Sequence, residues 1–496
     1  MANDRSTQQG AGNGRNGRIL HGRDPILTTY TSIDRSNVVQ VLNECMLQFA
    51  KVASEVGYLW KYMKGRQPVL DRVKDVRPEI NNRIVENHAQ EIVAFKTGYQ
   101  LAEPIQYMCR NSDDPENQGR TKDINELNTM MFAEDKASCD RDLFEWMCVC
   151  GVGYRLIVAD SEYDAEEGGA PFELFTLDPR STFVIESASY HRRPLAGVWV
   201  SVDPQTKHDL WNVYTDDMYY LIEGGRVVKE QPHTYKRCPV IMYPLNSARM
   251  GVFEPALPLL DAINTLESNR IDGVEQTVQS LIKFINVDID EKGFAKMLEL
   301  GAVKVSSREG ITGDVDVIRN DLDQTQTQVT KDDLYQAVVN IVGMPNRIGT
   351  SGSSSDTGAA VLLRDGWTLA EALAKAYELQ IKRSERNMLR VALEICRQAS
   401  GCELDLRIRD IELTFNRRNY ENALVRSQVL TTMLASEKIH PKLAFESSGL
   451  FSDPDAAYLL SQQHIDDEGA CEERLSAQEP SPRPLGSQAA VPEPKR

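Results

Sequence analysis

The chain has 496 residues, with 56 Lys and Arg against 73 Asp and Glu, a formal net charge of −17. That length predicts about two to four domains, and such an acid surplus argues against a surface that grips DNA at large, which needs basic patches. Nine cysteines without a Cys-x-x-Cys pair, and seven scattered histidines, read as idle or buried thiols in a reducing compartment rather than zinc or disulfides; no metal or cofactor is expected, no apolar run reaches membrane length, and no signal-type stretch opens the chain.

Residues 1–24 are rich in Gly, Asn and Arg (Arg5, Arg15, Arg18, Arg23) and are expected as a disordered basic arm. Ser36–Leu59 reads as a helix with Val39, Leu42, Met46, Phe49 and Val52 on one face. A second helix is expected after Asn81, and a third over Lys136–Gly151 feeds a strand at Gly153–Ala159. From Phe172 to Tyr243 the sequence turns to β runs, with Gly224 and Gly225 as a hairpin turn, which predicts an α+β domain built on an antiparallel sheet. Trp199, Trp211, Tyr219 and Tyr220 are of the type that stacks on bases, but the sheet core is their ordinary place.

The stretch Gly251–Ser400 carries the most information. Pro255–Ile282 is expected as one helix with the stripe Leu259, Ile263, Leu266, Val274, Val278, Leu281 and Ile285. Its other faces carry Glu254, Asp261, Glu267, Asp272 and Glu275 against Arg270, and are expected to show negative charge to water. A ring of such helices would line an anionic tunnel that keeps DNA from sticking. About forty residues then read as a β-α-β-β insert: a strand at Phe284–Asp288, a helical turn at Glu291–Leu300, and β runs at Ala302–Ser306 and Val315–Ile318. Thr330 is expected to cap a helix running to Val342 and stopped by Pro345. Pro345–Gly358 is a Gly/Ser-rich loop whose only base is Arg347; it lacks the Lys of a P-loop, so nucleotide binding is set aside. Thr357–Ala399 reads as one helix about 60 Å long, bent at Gly366, with Glu371–Lys375 and Glu378–Lys382 as i,i+4 pairs. Glu403–Asn416 is one more strand able to join the earlier sheet, Tyr420–Gln463 is helical, and Asp466–Arg496 is expected to stay unfolded.

Several strings in this order resemble the portal proteins of siphovirus-type tailed bacteriophages: Tyr62-Met-Lys-Gly-Arg-Gln-Pro, then Asn81-Asn-Arg-Ile-Val-Glu-Asn and Gly98-Tyr-Gln, and Pro239-Val-Ile-Met-Tyr-Pro-Leu-Asn246 with Arg249-Met-Gly-Val-Phe-Glu254. The resemblance covers about Thr28–Gln463 and rests on the order of its parts. One departure is Leu245-Asn246, where the family often has a second Asn. The resemblance implies a wing (25–253, with 402–418 returning to it), a stem of two helices (254–283 and 327–344), a clip (284–326), a tunnel loop (345–358), a long wing helix (359–400) and a crown (419–465). It implies a dodecameric ring at one capsid vertex of the virion, assembled in the host cytoplasm, without hydrolase chemistry. Double-stranded DNA would pass its axial channel in packaging and ejection. The terminase large subunit and a head–tail adaptor protein would dock on the clip, and the major capsid and scaffolding proteins would be further partners. By segment, Asp261, Glu267, Asp272, Glu275 and Lys331 would belong to the channel-lining stem. Asn346, Arg347, Ser353, Ser354 and Ser355 would sit in the tunnel loop, and Glu291, Lys292, Lys304, Arg308 and Arg319 at the docking face of the clip. Two other classes stand beside this one. Asp314, Asp316, Asp321 and Asp323 are a carboxylate-rich run of the kind that holds Mg²⁺ in a nucleic-acid enzyme, though no His, Lys or helix Glu completes a site. A capsid-associated scaffold protein that forms no ring is the second.

Overall fold

The computed structural model describes residues 18–110, 118–166, 168–278, 281–285, 292, 314–318, 324–345, 366–417, 423–436, 438–451, 454 and 457–465. Two compact units divide the chain, Met1–Arg418 and Asn419–Arg496. In chain order the first holds β1 (Ile26–Thr28), α1 (Val38–Met63), α2 (His88–Gln100), β2 (Gln106–Cys109), α3 (Gln118–Ala133), α4 (Lys136–Cys150), β3 (Val152–Ala159), β4 (Phe172–Leu177), β5 (Thr182–Ser187), β6 (Pro194–Val202), β7 (Asp209–Tyr214), β8 (Met218–Glu223), β9 (Arg226–Pro232), β10 (Val240–Pro244), α5 (Leu257–Val278), β11 (Leu281–Ile285), β12 (Asp314–Ile318), α6 (Gln324–Val342), α7 (Trp367–Gln398) and β13 (Ile411–Thr414). The second holds α8 (Ala423–Leu434) and α9 (Pro441–Ser448).

The β-rich stretch splits into two sheets rather than one. Six strands run in the order β1-β5-β6-β7-β8-β9, with β1 parallel to β5 and the rest antiparallel. β4 leaves this sheet and pairs with β3, which pairs in turn with β10. β13 does not join either sheet, as its alternation had suggested; it pairs with β2, with Ile411 opposite Cys109. Period two fixes which face of a strand is buried but not which neighbour it finds.

α1 explains how two cores become one unit. Its first half sends Val38, Val41, Leu42, Cys45 and Phe49 against the six-stranded sheet, where Phe49 stacks on Phe183 at 4.3 Å. Its second half sends Val52, Val56, Leu59, Tyr62 and Met63 into the main core with α2, α4, β3, β10, α5 and α7. The steps of three and four hold without a break, so one rigid helix of about 39 Å spans both. At the other side of α4, Gly151 caps the helix at φ 81°, and a Cβ there would lie 2.2 Å from the Arg249 carbonyl oxygen. That close approach lets the segment before α5 lie across the end of α4, where Val252 N donates to Cys148 O (2.8 Å) and Leu245 N to Gly151 O (2.9 Å).

Three boundaries differ from expectation. α5 ends at Val278, and Leu281 and Ile285, expected on its stripe, belong to β11. α6 starts at Gln324, because Thr330 does not cap but turns its hydroxyl back onto the Gln326 carbonyl oxygen (2.9 Å) inside the helix. α7 starts at Trp367, with Gly366 at φ 83° as its N-cap instead of a bend within it. The expected Glu371–Lys375 pair forms (3.6 Å), whereas Glu378 turns to Arg417 and Lys382 to Glu412 (3.8 Å). In the basic arm, Arg23 is 4% exposed; it meets Glu254 at 2.5 Å and Glu55 at 3.2 Å, so this end of the arm is core.

Candidate functional site

α5 and α6 form an antiparallel pair, and the contacts give its register. Arg270 Nη1 donates to Gln328 Oε1 (3.0 Å), and one turn earlier on α5 Glu267 meets Lys331, one turn later on α6 (3.1 Å). At the far end of the pair, β11 and β12 close a hairpin-like ladder from Leu281 opposite Ile318 to Ile285 opposite Asp314.

The buried face of α5 starts apolar, with Leu257, Leu260 and Ile263, and then turns polar with Asn264, Glu267, Ser268 and Asp272. The reason is the extended segment before α2, which lies along this face and offers a backbone N–H at every second residue. Glu86 N donates to Asn264 Oδ1 (2.8 Å), Ile84 N to Ser268 Oγ (3.0 Å) and Asn82 N to Asp272 Oδ1 (2.8 Å). Two residues of extended chain advance about 6.6 Å, and four residues of helix about 6 Å, so the two repeats run in step. Each N–H would otherwise be buried without an acceptor. The string Asn81-Asn-Arg-Ile-Val-Glu-Asn is therefore the partner of α5.

Charges complete this seam. Asp272, 3% exposed, accepts from Lys74 (2.9 Å) and lies 3.1 Å from Arg72. Burial pushes its pKa up, but the Asn82 N–H and the Lys74 ammonium outweigh that and hold it below the usual value. Lys331 bridges Glu86 (2.5 Å) and Glu267. His88 lies between Glu86 (3.0 Å) and Glu91 (2.8 Å), and Tyr335 of α6 donates to Glu91 (3.0 Å). Asp261 accepts from the Tyr62 hydroxyl at 2.8 Å.

The expectation that α5 shows its acids to water is corrected at three positions. Glu254, Glu267 and Asp272 are buried and neutralised by Arg23, by Lys331 and by Lys74 with Arg72. Asp261 is half-buried, and Val274, expected on the packed stripe, is 43% exposed. Among the five, Glu275 is the exposed carboxylate; the reading from sequence puts Asp332 and Asp333 in the first turn of their helix but not among the channel-lining residues, and both are exposed on α6. It also passed over Asn264 and Ser268, although polar residues at steps of four along an otherwise packed face mark a seam against a polar partner. Of the residues expected at a clip, Lys292 is exposed; Glu291, Lys304, Arg308 and Arg319 lie outside the described residues, as do Asp321, Asp323 and the residues expected in a tunnel loop, Asn346, Arg347, Ser353, Ser354 and Ser355.

Away from the α5–α6 pair, α7 is anchored by a buried charged cluster. Glu385 accepts from Tyr107 (2.6 Å) and Tyr243 (2.7 Å) and pairs with Lys136 (2.8 Å); Lys136 and Arg155 share Asp140 at 2.5 and 2.6 Å. Burial alone would raise the Glu385 pKa, but Lys136 and Arg155 hold it well below the carboxylate range. The cluster joins β2, α4, β3, β10 and α7 at one point, a structural role, since every member is at most 7% exposed. Among the described residues no group of His, Cys, Asp and Glu is placed to hold a metal ion, and no helix is long and apolar enough to cross a membrane.

The family model for phage portal proteins of the SPP1 Gp6-like type matches residues 51–472. No curated protein matches the chain. Among solved structures, it is similar to a chain from the neck of an empty gene transfer agent particle, at 14% identity and TM-score 0.45, covering 73% of this chain and 90% of that one. It is also similar to a chain from the virion of a native gene transfer agent particle, at 14% identity and TM-score 0.43, covering 73% and 89%. With the match running from the middle of α1 past α9, the chain belongs to the SPP1 Gp6-like phage portal proteins, structural and non-enzymatic components of the capsid.

Proposed function

We propose that this portal subunit forms a dodecameric ring at one capsid vertex, passes double-stranded DNA through the axial channel in packaging and ejection, and offers its clip first to the terminase large subunit and then to a head–tail adaptor. The observation that carries this reading is the family match over 51–472, which takes in the whole run of α5, insert, α6, loop and α7. The antiparallel α5–α6 pair with a β ladder at its tip suits a stem ending in a docking knob. In this reading the charge offered to DNA comes from Glu275, Asp332 and Asp333, exposed on the stem pair. Glu267, Asp272 and Lys331 hold the stem to the wing. Exposed carboxylates repel a phosphate backbone over about 10 Å at moderate salt, which lets DNA slide. Arg347 and the serines Ser353–Ser355 belong to the proposed tunnel loop, with major capsid and scaffolding proteins around the vertex.

Electron microscopy of the purified chain, averaged end-on, tests the reading. Closed rings with a central hole are expected. Monomers or irregular aggregates at every protein and salt concentration would leave a capsid-associated protein without a channel.

A further inference from the structure

The groove between α7 and the connection from β9 to β10 carries positive charge that the stem does not use. α7 presents Arg383, Arg386 and Arg390 at steps of three and four, so they share one side of the helix. Arg237 precedes β10, and Arg192 lies in the turn between β5 and β6; with Arg383 they line a cavity of about 700 Å³. All five are exposed or half-exposed, and none makes an ion pair among the described residues. Their neighbours do: Arg193 meets Asp216, Lys236 meets Glu394 at 2.5 Å and Arg249 meets Glu186 at 2.8 Å. Those carboxylates are thus already taken, and of the remaining arginines Arg237, Arg386 and Arg390 lie near one another while Arg192, Arg237 and Arg383 share the cavity. Burial lowers the Arg390 pKa, and the like charges of Arg237 and Arg386 beside it lower it further. A fold with a surplus of seventeen negative charges has no need to leave five guanidinium groups together unless something anionic covers them.

We propose that this groove is a subunit–subunit docking surface, completed by carboxylates of a second copy of this chain. The inference rests on the ring reading above. Charge complementarity selects the occupant. A nucleic acid approaching a subunit of net charge −17 meets long-range repulsion, whereas a second copy brings its own surplus of exposed carboxylates. Glu162, Asp164 and Glu166, exposed in the connection between β3 and β4, are examples of that supply. In a ring the contact is heterologous, one face of a subunit meeting a different face of the next, so a groove with an excess of positive charge needs no self-complement. Arginine suits the task because its planar fork binds a carboxylate at two points.

The test compares the full chain with Arg237→Glu/Arg383→Glu and with the milder Arg383→Gln/Arg390→Gln. Mass photometry and sedimentation across protein concentration, at low and high salt, measure assembly; thermal melting of dilute monomer checks folding; anisotropy of a labelled DNA duplex checks the other anion. The proposal expects the wild-type assembly midpoint to rise with salt, and both variants to need at least tenfold more protein to assemble. It also expects monomer melting to be unchanged or higher, because repulsion has been relieved. If the wild type forms oligomers that are not rings and the variants weaken them, the docking surface stands and the ring reading falls. If rings of wild type and variants assemble alike, the ring stands and the docking surface falls; it falls too if the wild type never assembles, or if the arginines are needed only for duplex binding.

Discussion

Four buried partners converge on Glu385: Lys136, Arg155, Tyr107 and Tyr243. It neutralises Lys136 and Arg155 in a buried site, and its two oxygens accept hydrogen bonds from the hydroxyls of Tyr107 and Tyr243. Glu385→Gln keeps the size but leaves the two cations with Asp140 alone, and a broken buried pair costs about 3–5 kcal/mol. Urea denaturation should show a loss of that size, and a loss below about 1 kcal/mol would mean that the cluster is hydrated in solution. His88 predicts a pH dependence. Burial works to lower its pKa, but the hydrogen bonds with Glu86 and Glu91 win and raise it above its usual 6.5. Glu86 is held at about 2, first by the hydrogen bond with His88 and further by Lys331, against burial. The histidine's contribution is complete below its unfolded value and is lost as pH rises through the raised one. The glutamate's is present above its usual 4.5 and is lost as pH falls towards 2. The contact between α2 and α6 should therefore be firmest between about pH 4.5 and pH 6.5. Thermal melts should decline as pH rises above about 6.5, and His88→Gln should flatten that decline; an unchanged slope in the variant would assign it elsewhere.

At the scale of elements, α5 offers a contrast between two glutamates on one helix. Glu267, 8% exposed, faces Lys331, and Glu275 faces water. Glu267→Lys sets two ammonium groups against each other in the α5–α6 seam and should cost about 1–3 kcal/mol in a denaturation experiment. Glu275→Lys should change stability by less than about 0.5 kcal/mol and, if the stem lines the channel, slow DNA packaging while ring assembly is kept. Packaging at the normal rate would take Glu275 off the channel. Sequence periodicity located α1 and α5 to within about a turn and the ends of α6 and α7 to within a residue, because packed helices carry their stripe in the order of their residues, but it put the starts of α6 and α7 six and ten residues away from Gln324 and Trp367. It misjudged the acids of α5, since whether a carboxylate meets water or an arginine depends on a segment nearly two hundred positions away, as Asn82 and Asp272 illustrate. The strand pairings fall under the same limit: β13 finds β2 across three hundred residues, and nothing in its alternation names that partner.

At the scale of the whole molecule, the first unit is closed off by its own last residues. β13 supplies the ladder to β2, Leu404 and Leu406 are buried in the main core, and Arg417 pairs with Glu371 (2.9 Å) and Glu378 on α7. Among the described residues, 419–496 add no strand to any of the four sheets. A chain ending at Arg418 therefore keeps every strand and the Arg417 pairs, and should melt in one cooperative step with a midpoint within about 2 °C of the full chain. A chain ending at Ala399 loses a ladder, two buried leucines and the clamp on α7 together. Each is worth on the order of 1 kcal/mol or more, so this second truncation should be unfolded or aggregated at 37 °C. Calorimetry of the two truncations side by side separates the cases. A large drop in the midpoint of the longer one would show that the second unit stabilises the first, and a cooperative transition in the shorter one would show that the return of 400–418 is dispensable to the fold.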